Sequence, residues 1–264
     1  MKYLPVIRKI CQLSVLALFC ALPFLAAIDF SFVKGSLFSL DIFGVPFADP
    51  SSTLQTAGQA AASGVFPAIS IFIGAGLSLL LAFFLGRVFC GWICPYGLVS
   101  GLVARKGKVL KGAKRVRIIV FLVALALAAL LGYPLITLLS MPGQITLAPI
   151  LFGDDWQLAL FVLLPPFLAL IIDLLTGGRF FCSTLCPQAV LLGAAAWALP
   201  KKAPGMRIVW DKNKCRCKGA PCEKACQFGL RPRGKLKRDE CVMCGDCVAV
   251  CAKKGGALKF AGKE

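Results

Sequence analysis

Long uncharged runs alternate along this chain with short segments that carry nearly all of its charge. Residues 10–28, 65–85, 118–139 and 156–175 are each long enough to cross a hydrocarbon core of about 30 Å as a helix. They predict a mainly α chain with a four-transmembrane-helix domain over residues 1–200. A cleaved signal peptide is the competing reading of the first run, because 21–27 offers small residues after Lys2, Arg8 and Lys9; the run is long for one. Pro165 and Pro166 remove two backbone donors and predict a kink or a new start in the fourth helix. Residues 187–199 are apolar but too short to span, which predicts an interfacial or re-entrant segment.

The charges order these runs. Between the second and third stand Arg87, Arg105, Lys106, Lys108, Lys111, Lys114, Arg115 and Arg117 without one acid. The segment 29–63 carries Asp29, Asp41 and Asp49 against Lys34 alone, and 140–155, read as a loop, carries Asp154 and Asp155. Of thirty basic residues only Lys34 falls in an outer segment, against five of twelve acids. By the positive-inside rule the chain is multi-pass in a bacterial cytoplasmic membrane with both termini cytoplasmic. The net charge of +18 does not imply nucleic acid, because the cations flank apolar runs instead of forming a stripe with aromatics; membrane lipid is the partner it suggests. A hydrophobic content of 58% and a mean hydropathy of +0.81 exceed what a soluble domain needs.

Two ten-residue stretches after the second and fourth runs share G-R-x-F-C-x3-C-P: Gly86 to Pro95, with Arg87, Cys90 and Cys94, and Gly178 to Pro187, with Arg179, Cys182 and Cys186. The match predicts two inverted-style repeats whose motifs meet at the cytoplasmic face. Four thiols from two halves could ligate a cluster or metal, cycle between thiol and disulfide, or organise a docking surface; the plain alternative is small buried packers. Arg87 and Arg179 are read as lipid-headgroup anchors, with a quinone or subunit contact as the alternative. Asp173, near the inner end of the fourth run, is either a functional ionisable group or a salt-bridge partner of Arg87 or Arg179. Cys11 and Cys20 are read as packers on the first helix.

Eight more cysteines lie in residues 206–264. Cys241, Cys244, Cys247 and Cys251 form C-x2-C-x2-C-x3-C, the spacing in which three close thiolates hold one [4Fe–4S] cubane and the fourth reaches another. Cys215, Cys217, Cys222 and Cys226 form a less regular quartet. On that pattern Cys226 joins Cys241, Cys244 and Cys247, while Cys251 joins Cys215, Cys217 and Cys222. A disulfide framework conflicts with the cytoplasmic placement, and zinc suits this clustering less well. Val209–Trp210 and 257–260 read as short strands flanking a small α+β ferredoxin-like domain. The intervening Arg231, Arg233, Lys235, Lys237 and Arg238 read as a solvated face or a contact to anionic lipid or an acidic partner. With no histidine in the chain, histidine-ligated haem and Rieske ligation are excluded.

Four spans, paired C-x3-C-P motifs and a terminal double-cubane segment together resemble the NapH/MauN-type membrane ferredoxins. The resemblance covers nearly the whole chain and departs from it in the first quartet's spacing and in Gln227 and Ala252, which stand where a proline usually follows the fourth cysteine. It implies two [4Fe–4S] clusters, a quinone or quinol, and a ferredoxin or cytochrome partner subunit. The protein would pass electrons between the quinone pool and a nitrate-reduction or methylamine-utilisation system, acting with partner subunits as a quinol dehydrogenase component. Clusters on the cytoplasmic side are badly placed to feed a periplasmic acceptor directly, so a partner or the quinone must cross. The alternative is a cytoplasmic-side electron donor for maturation or reactivation of a periplasmic redox enzyme, with the C-x3-C-P thiols as relay.

Overall fold

The computed structural model describes residues 3–26, 33–64, 68–104, 112–153, 155–200, 204–217, 219–234, 236–253 and 255–262. Expectations placed on Lys2, Asp29, Arg105, Lys106, Lys108, Lys111, Asp154, Lys201, Lys202 and Lys235 lie outside them, as do the end of the first apolar run and the start of the second.

The first run is helix α1 (Leu4–Ala26), which begins inside the basic flank because Arg8 finds a partner elsewhere in the fold. The expected polar loop that follows is instead built structure. Strands β1 (Val33–Ser36), β2 (Ser39–Ile42) and β3 (Val45–Ala48) form an antiparallel meander, and helix α2 (Pro50–Ser63) follows directly. Asp49 caps α2 by accepting from the Ser51 N–H at 2.9 Å, with Pro50 in the first-turn position where its missing donor costs nothing. Helix α3 (Ile69–Leu85) packs its buried face on β3. Gly74 makes that approach possible, since a Cβ there would stand 2.9 Å from the Ala48 nitrogen and 3.0 Å from the Phe47 carbonyl carbon.

A single π-helical turn, Phe89–Ile93, carries the first cysteine motif into α4 (Pro95–Val103). The third run corrects in register: α5 spans Ala113–Leu131, stops at Gly132 in the left-handed region, and is followed by the separate short α6 (Leu135–Leu139). Its start lies in the basic flank because Arg117 is drawn inward and buried. The second expected outer loop also corrects, because it contains α7 (Met141–Phe152), which packs lengthwise against α8 (Trp156–Thr176). Pro165 and Pro166 both sit within α8 without ending it, as is tolerated where neighbouring helices enclose the freed carbonyls.

The two outer segments are stitched together. Ser140 Oγ donates to Asp49 Oδ2 at 2.7 Å, the Ile136 N–H to Gln55 Oε1 at 2.7 Å, and the Leu37 N–H to Thr146 Oγ1 at 3.0 Å. Beyond α8, the second motif forms α9 (Phe180–Thr184), and the short apolar segment becomes α10 (Gln188–Ala198), packed on α3. The C-terminal segment holds β4 (Arg207–Trp210), the single turn α11 (Pro221–Lys224), α12 (Asp246–Ala252) and β5 (Leu258–Ala261). β4 and β5 pair antiparallel, joining the two stretches expected as strands.

Among the described residues, α1 and α8 are the helices long and apolar enough to cross a membrane; α3 and α10 are apolar but shorter. Large apolar side chains nevertheless stand exposed around α1, α3, α5 and α8, including Phe24, Ile69, Leu130 and Leu175 at 77% to 81%.

Gly74→Ala should lower the stability of the detergent-solubilised protein by about 1–3 kcal/mol, because backbone rather than a mobile side chain occupies the space. Gly76→Ala, with nothing within 4 Å of the added Cβ, should be neutral or gain up to about 1 kcal/mol of helix propensity. Thermal unfolding of the two variants side by side checks the packing of α3 on the sheet.

Candidate functional site

The paired motifs converge. Cys90, Cys94, Cys182 and Cys186 line one enclosed cavity together with Arg87, Arg179, Tyr96 and Phe181. In each motif the second cysteine stands at a helix start and accepts a hydrogen bond from the N–H three residues on: Gly97 to Cys94 Sγ at 3.4 Å, and Ala189 to Cys186. The C-P dipeptide therefore reads as a thiol cap followed by a residue that needs no donor, and the helix N-terminus favours the thiolate. Burial raises the pKa of Cys94, Cys182 and Cys186, and neighbouring thiols add to it: for Cys94 burial is followed by Cys90, for Cys182 by Cys186, and Cys186 is pushed up to about 12 by burial and then Cys90. Arg179 and Arg87 oppose the rise at Cys182 and Cys186 respectively. Free volume in the cavity is about 20 Å³, room for about one water, so the donor set suits a thiolate-bound metal but the thiols would have to rotate outward to admit one.

Asp173 joins the halves by a different bond from either one anticipated. It is fully buried and accepts from Tyr96 Oη at 2.9 Å, Ser100 Oγ at 2.6 Å and the Phe181 N–H at 2.8 Å, with no ion pair to Arg87 or Arg179 among the described residues. Tyr96 and Ser100 follow the first motif and Phe181 lies in the second, so one carboxylate fixes both. Arg87 and Arg179 likewise correct: at 1% and 6% exposed they are enclosed by protein groups instead of standing as anchors on an open surface. Arg87 donates to the Asp239 carbonyl at 3.3 Å and approaches Cys90 Sγ at 4.0 Å, and Arg179 lies 5.3 Å over the Phe228 ring.

In the C-terminal segment several thiols act on one another. Burial pushes Cys241 up to about 12, with Cys244 and Cys226 adding to it; Cys244 rises to about 11 by burial and Asp246; and Cys226 raises Cys247 as well. Cys226 thus faces Cys241, Cys244 and Cys247 although it belongs to the other quartet in sequence. Cys222 and Cys251 share one buried cluster with Cys215 packed against it, and Cys251 Sγ accepts from the Leu258 N–H at 3.3 Å. Arg233, read from sequence as a solvated face, donates to the Cys217 carbonyl at 2.9 Å and bonds the Cys222 thiol. Cys215 is lowered by the Cys217 N–H and the Trp210 side chain. Among the described residues no three Cys, Asp or Glu side chains close on one mononuclear ion.

The cysteine-rich C-terminal loop docks on the first motif. Trp92 Nε1 donates to the Met243 carbonyl at 3.0 Å, and a Cβ at Gly91 would collide with the Val242 carbonyl oxygen. Gln12 of α1 holds the other side of the turn, donating to the Gly91 carbonyl at 3.1 Å and less closely to that of Cys94. Arg8 pairs with Asp246 at 3.0 Å, and Arg238 donates to the carbonyls of Phe84, Ala196 and Met206 at 2.6, 2.8 and 3.1 Å. Gly91 and Trp92 were not singled out from sequence; the glycine between two cysteines was the one local signal of a close approach.

On the opposite side of the same turn, Phe89 and Ile93 line an apolar cleft of about 330 Å³ between the β-sheet, α3 and α10. Its few polar groups are Asp49, Ser78 and Gln188, and Gln188 also lines the four-thiol cavity.

Comparison with known proteins bears on the paired motifs and on the family. The sequence model of the 4Fe-4S binding domain matches twice, at residues 67–117 and 158–206, one match on each C-x3-C-P motif. The ferredoxin-type protein NapH of Haemophilus influenzae is 29% identical over 269 residues, covering 94% of this chain and 86% of that protein. An uncharacterized protein of Methanocaldococcus jannaschii is 30% identical over 194 residues, 70% of this chain and 68% of that one. The methylamine utilization ferredoxin-type protein MauN of Methylorubrum extorquens is 28% identical over 257 residues, 94% and 74% of the two chains.

The chain belongs to the NapH/MauN family of ferredoxin-type proteins. No solved structure matches it. Membership makes it a ferredoxin-type iron–sulfur electron-transfer protein.

Gly91→Ala should push the 242–244 loop away and loosen the regular quartet. After anaerobic reconstitution, iron content and the cluster's visible absorbance should fall while α-helical circular dichroism stays within error. Unchanged iron and absorbance would show that the close approach does not support the cluster loop.

Proposed function

We propose that this protein is a multi-pass membrane electron-transfer component linking a quinone-type carrier in the apolar cleft to two [4Fe–4S] clusters. In this reading residues 1–200 form the membrane domain, with α1, α3, α5 and α8 crossing the bilayer, and residues 206–264 form a cytoplasmic ferredoxin-like domain. The apolar side chains exposed around those four helices support it, since water would not tolerate them in such number. α3, at 17 residues, is at the short end of what can span. The charge asymmetry supports cytoplasmic termini.

The observation that carries the proposal is the position of the turn 89–93. One side of it lines the apolar cleft and the other side touches the loop that carries Cys241 and Cys244. Cys241, Cys244, Cys247 and Cys226 would hold one cluster there, and Cys215, Cys217, Cys222 and Cys251 the second. When bound, each cluster exchanges single electrons. The chain's own residues do the rest: leucines and phenylalanines of the cleft bury an isoprenoid-like tail, Ser78 and Gln188 can hydrogen-bond carbonyl or hydroxyl oxygens of a ring, and the Trp92 to Met243 bond fixes the distance to the cluster loop. Cys90, Cys94, Cys182 and Cys186 lie between, with Gln188 shared by cleft and cavity. A soluble or membrane redox subunit would complete the path to a nitrate-reduction or methylamine-utilisation system.

In proteoliposomes containing the reconstituted protein, a quinol should reduce the C-terminal clusters, read by electron paramagnetic resonance. Ala82→Phe fills the cleft and should slow that reduction at least about tenfold while dithionite still reduces the clusters fully. Equal quinol rates in the two proteins would remove the cleft from the path. Replacing all four C-x3-C-P cysteines with serine tests the relay separately: persistent quinol reduction would leave those thiols a purely structural role.

A further inference from the structure

A second cleft, of about 600 Å³, opens where the start of α5 meets the 228–240 strap that joins the two cysteine quartets. Its cations are Arg87, Lys114, Arg115, Arg117 and Lys237; the one acid lining it is Glu240. Asp239 stands beside it and is already paired with Lys114, and Lys237 reaches Glu240 at 3.7 Å. Arg87 and Arg117 form no ion pair among the described residues; Glu240 acts on Arg117 only at longer range, behind burial and the repulsion of Arg87. Arg117 is 5% exposed, has no hydrogen-bond or ion-pair partner among the described residues, and its buried Nε is unsatisfied, as is that of Arg87. Residues 105–111, which precede this cleft in sequence, contain four cations and no acid, so they hold no counter-anion either. A buried, unpaired guanidinium costs several kcal/mol unless an anion answers it. The planar fork of a guanidinium matches the oxygens of phosphate, and two of them facing one cleft match it better. Ile118, Phe228 and Leu230 give the cleft an apolar wall beside these cations.

We propose that this cleft is a binding site for a phosphate group, held by Arg87 and Arg117 between the membrane helices and the cluster-bearing segment. The phosphate belongs either to an anionic lipid headgroup or to a free phosphate ion. Filling the site bridges α5 to the strap and so fixes the cluster-bearing segment on the membrane part.

The test uses the delipidated, cluster-reconstituted full chain. Thermal stability and binding are followed with inorganic phosphate, with nanodiscs of phosphatidylglycerol in phosphatidylcholine, and with nanodiscs of phosphatidylcholine alone. The wild type should gain stability with at least one of the first two over the third, and native mass spectrometry should show the bound species. A response to phosphatidylglycerol without one to inorganic phosphate assigns a lipid headgroup; a response to inorganic phosphate assigns a free ion; both outcomes support the site. Arg117→Gln should weaken binding at least about tenfold, and the effect should diminish as salt rises. Lys224→Gln, an exposed cation outside the cleft, should change nothing. Ser183→Glu supplies a carboxylate within the cleft and should abolish binding without loss of folding, which covers the case in which Arg117→Gln is too unstable to measure. No response of the wild type to either phosphate source overturns the proposal, as does full binding retained in Arg117→Gln or in Ser183→Glu.

Discussion

The structure depends on arginines that answer backbone carbonyls across its one large junction. A helix leaves its last carbonyls unsatisfied, and where a membrane helix ends beneath another segment, water is not freely available to them. Arg238 supplies three donors at once, to Phe84 in the last turn of α3, to Ala196 in the last turn of α10, and to Met206 on the way into β4. Its charge sits where the helix dipoles favour it. Arg87 performs the converse task from the first cysteine motif, reaching the carbonyl of Asp239. These bonds hold residues 238–243 against the first cysteine motif with little freedom, and the Gly91 contact and Trp92 hydrogen bond follow from that seating.

The pseudo-symmetry of the two halves has a similar physical basis. Each half brings a cysteine to a helix start, and each second cysteine is fixed by an N–H three residues later. Nothing in those local bonds makes the halves meet. Asp173 does so, because a buried carboxylate needs several donors and finds two in the first half and one in the second. A carboxylate placed to join two motifs explains why an acid persists near a helix end surrounded by apolar residues without a cation beside it. It also leaves Arg87 and Arg179 free to face thiols instead of an acid.

Much of the chemistry was legible in the sequence, because cysteine spacing is local. The regular C-x2-C-x2-C-x3-C run and the two C-x3-C-P motifs follow from short-range pattern, and the strands β4 and β5 were marked by their apolar residues. The sheet β1 to β3 was not legible: its strands are four residues each, joined through Leu37–Phe38 and Phe43–Gly44 and interrupted in pattern by Gly35 and Asp41, and they form because α3 and α7 lend them a surface. Helix α7 was hidden by two prolines and a glycine that usually mark a loop, and α5 was misplaced because charged residues were assumed to lie outside a helix that buries Arg117. The seating of Arg238 on Phe84 spans 154 residues of sequence, so no window along the chain could reveal it.

The same cations bear on the direction in which electrons can move. Reducing a thiolate-bound iron centre adds negative charge, and fixed positive charge nearby favours that step and raises the potential. Around the Cys241, Cys244 and Cys247 group stand Arg8, which acts directly on Cys244, and Arg87, which acts on Cys241; Arg233 bonds a thiol of the irregular group. At Cys244 Asp246 outweighs Arg8, and because the two are paired at 3.0 Å they leave no net positive charge there. Backbone donors such as the Leu258 N–H on Cys251 push toward reduction. Arg87 at Cys241 and Arg233 at Cys222 are the cations left uncancelled, and fixed positive charge beside those thiols favours the reduced form of iron bound by them.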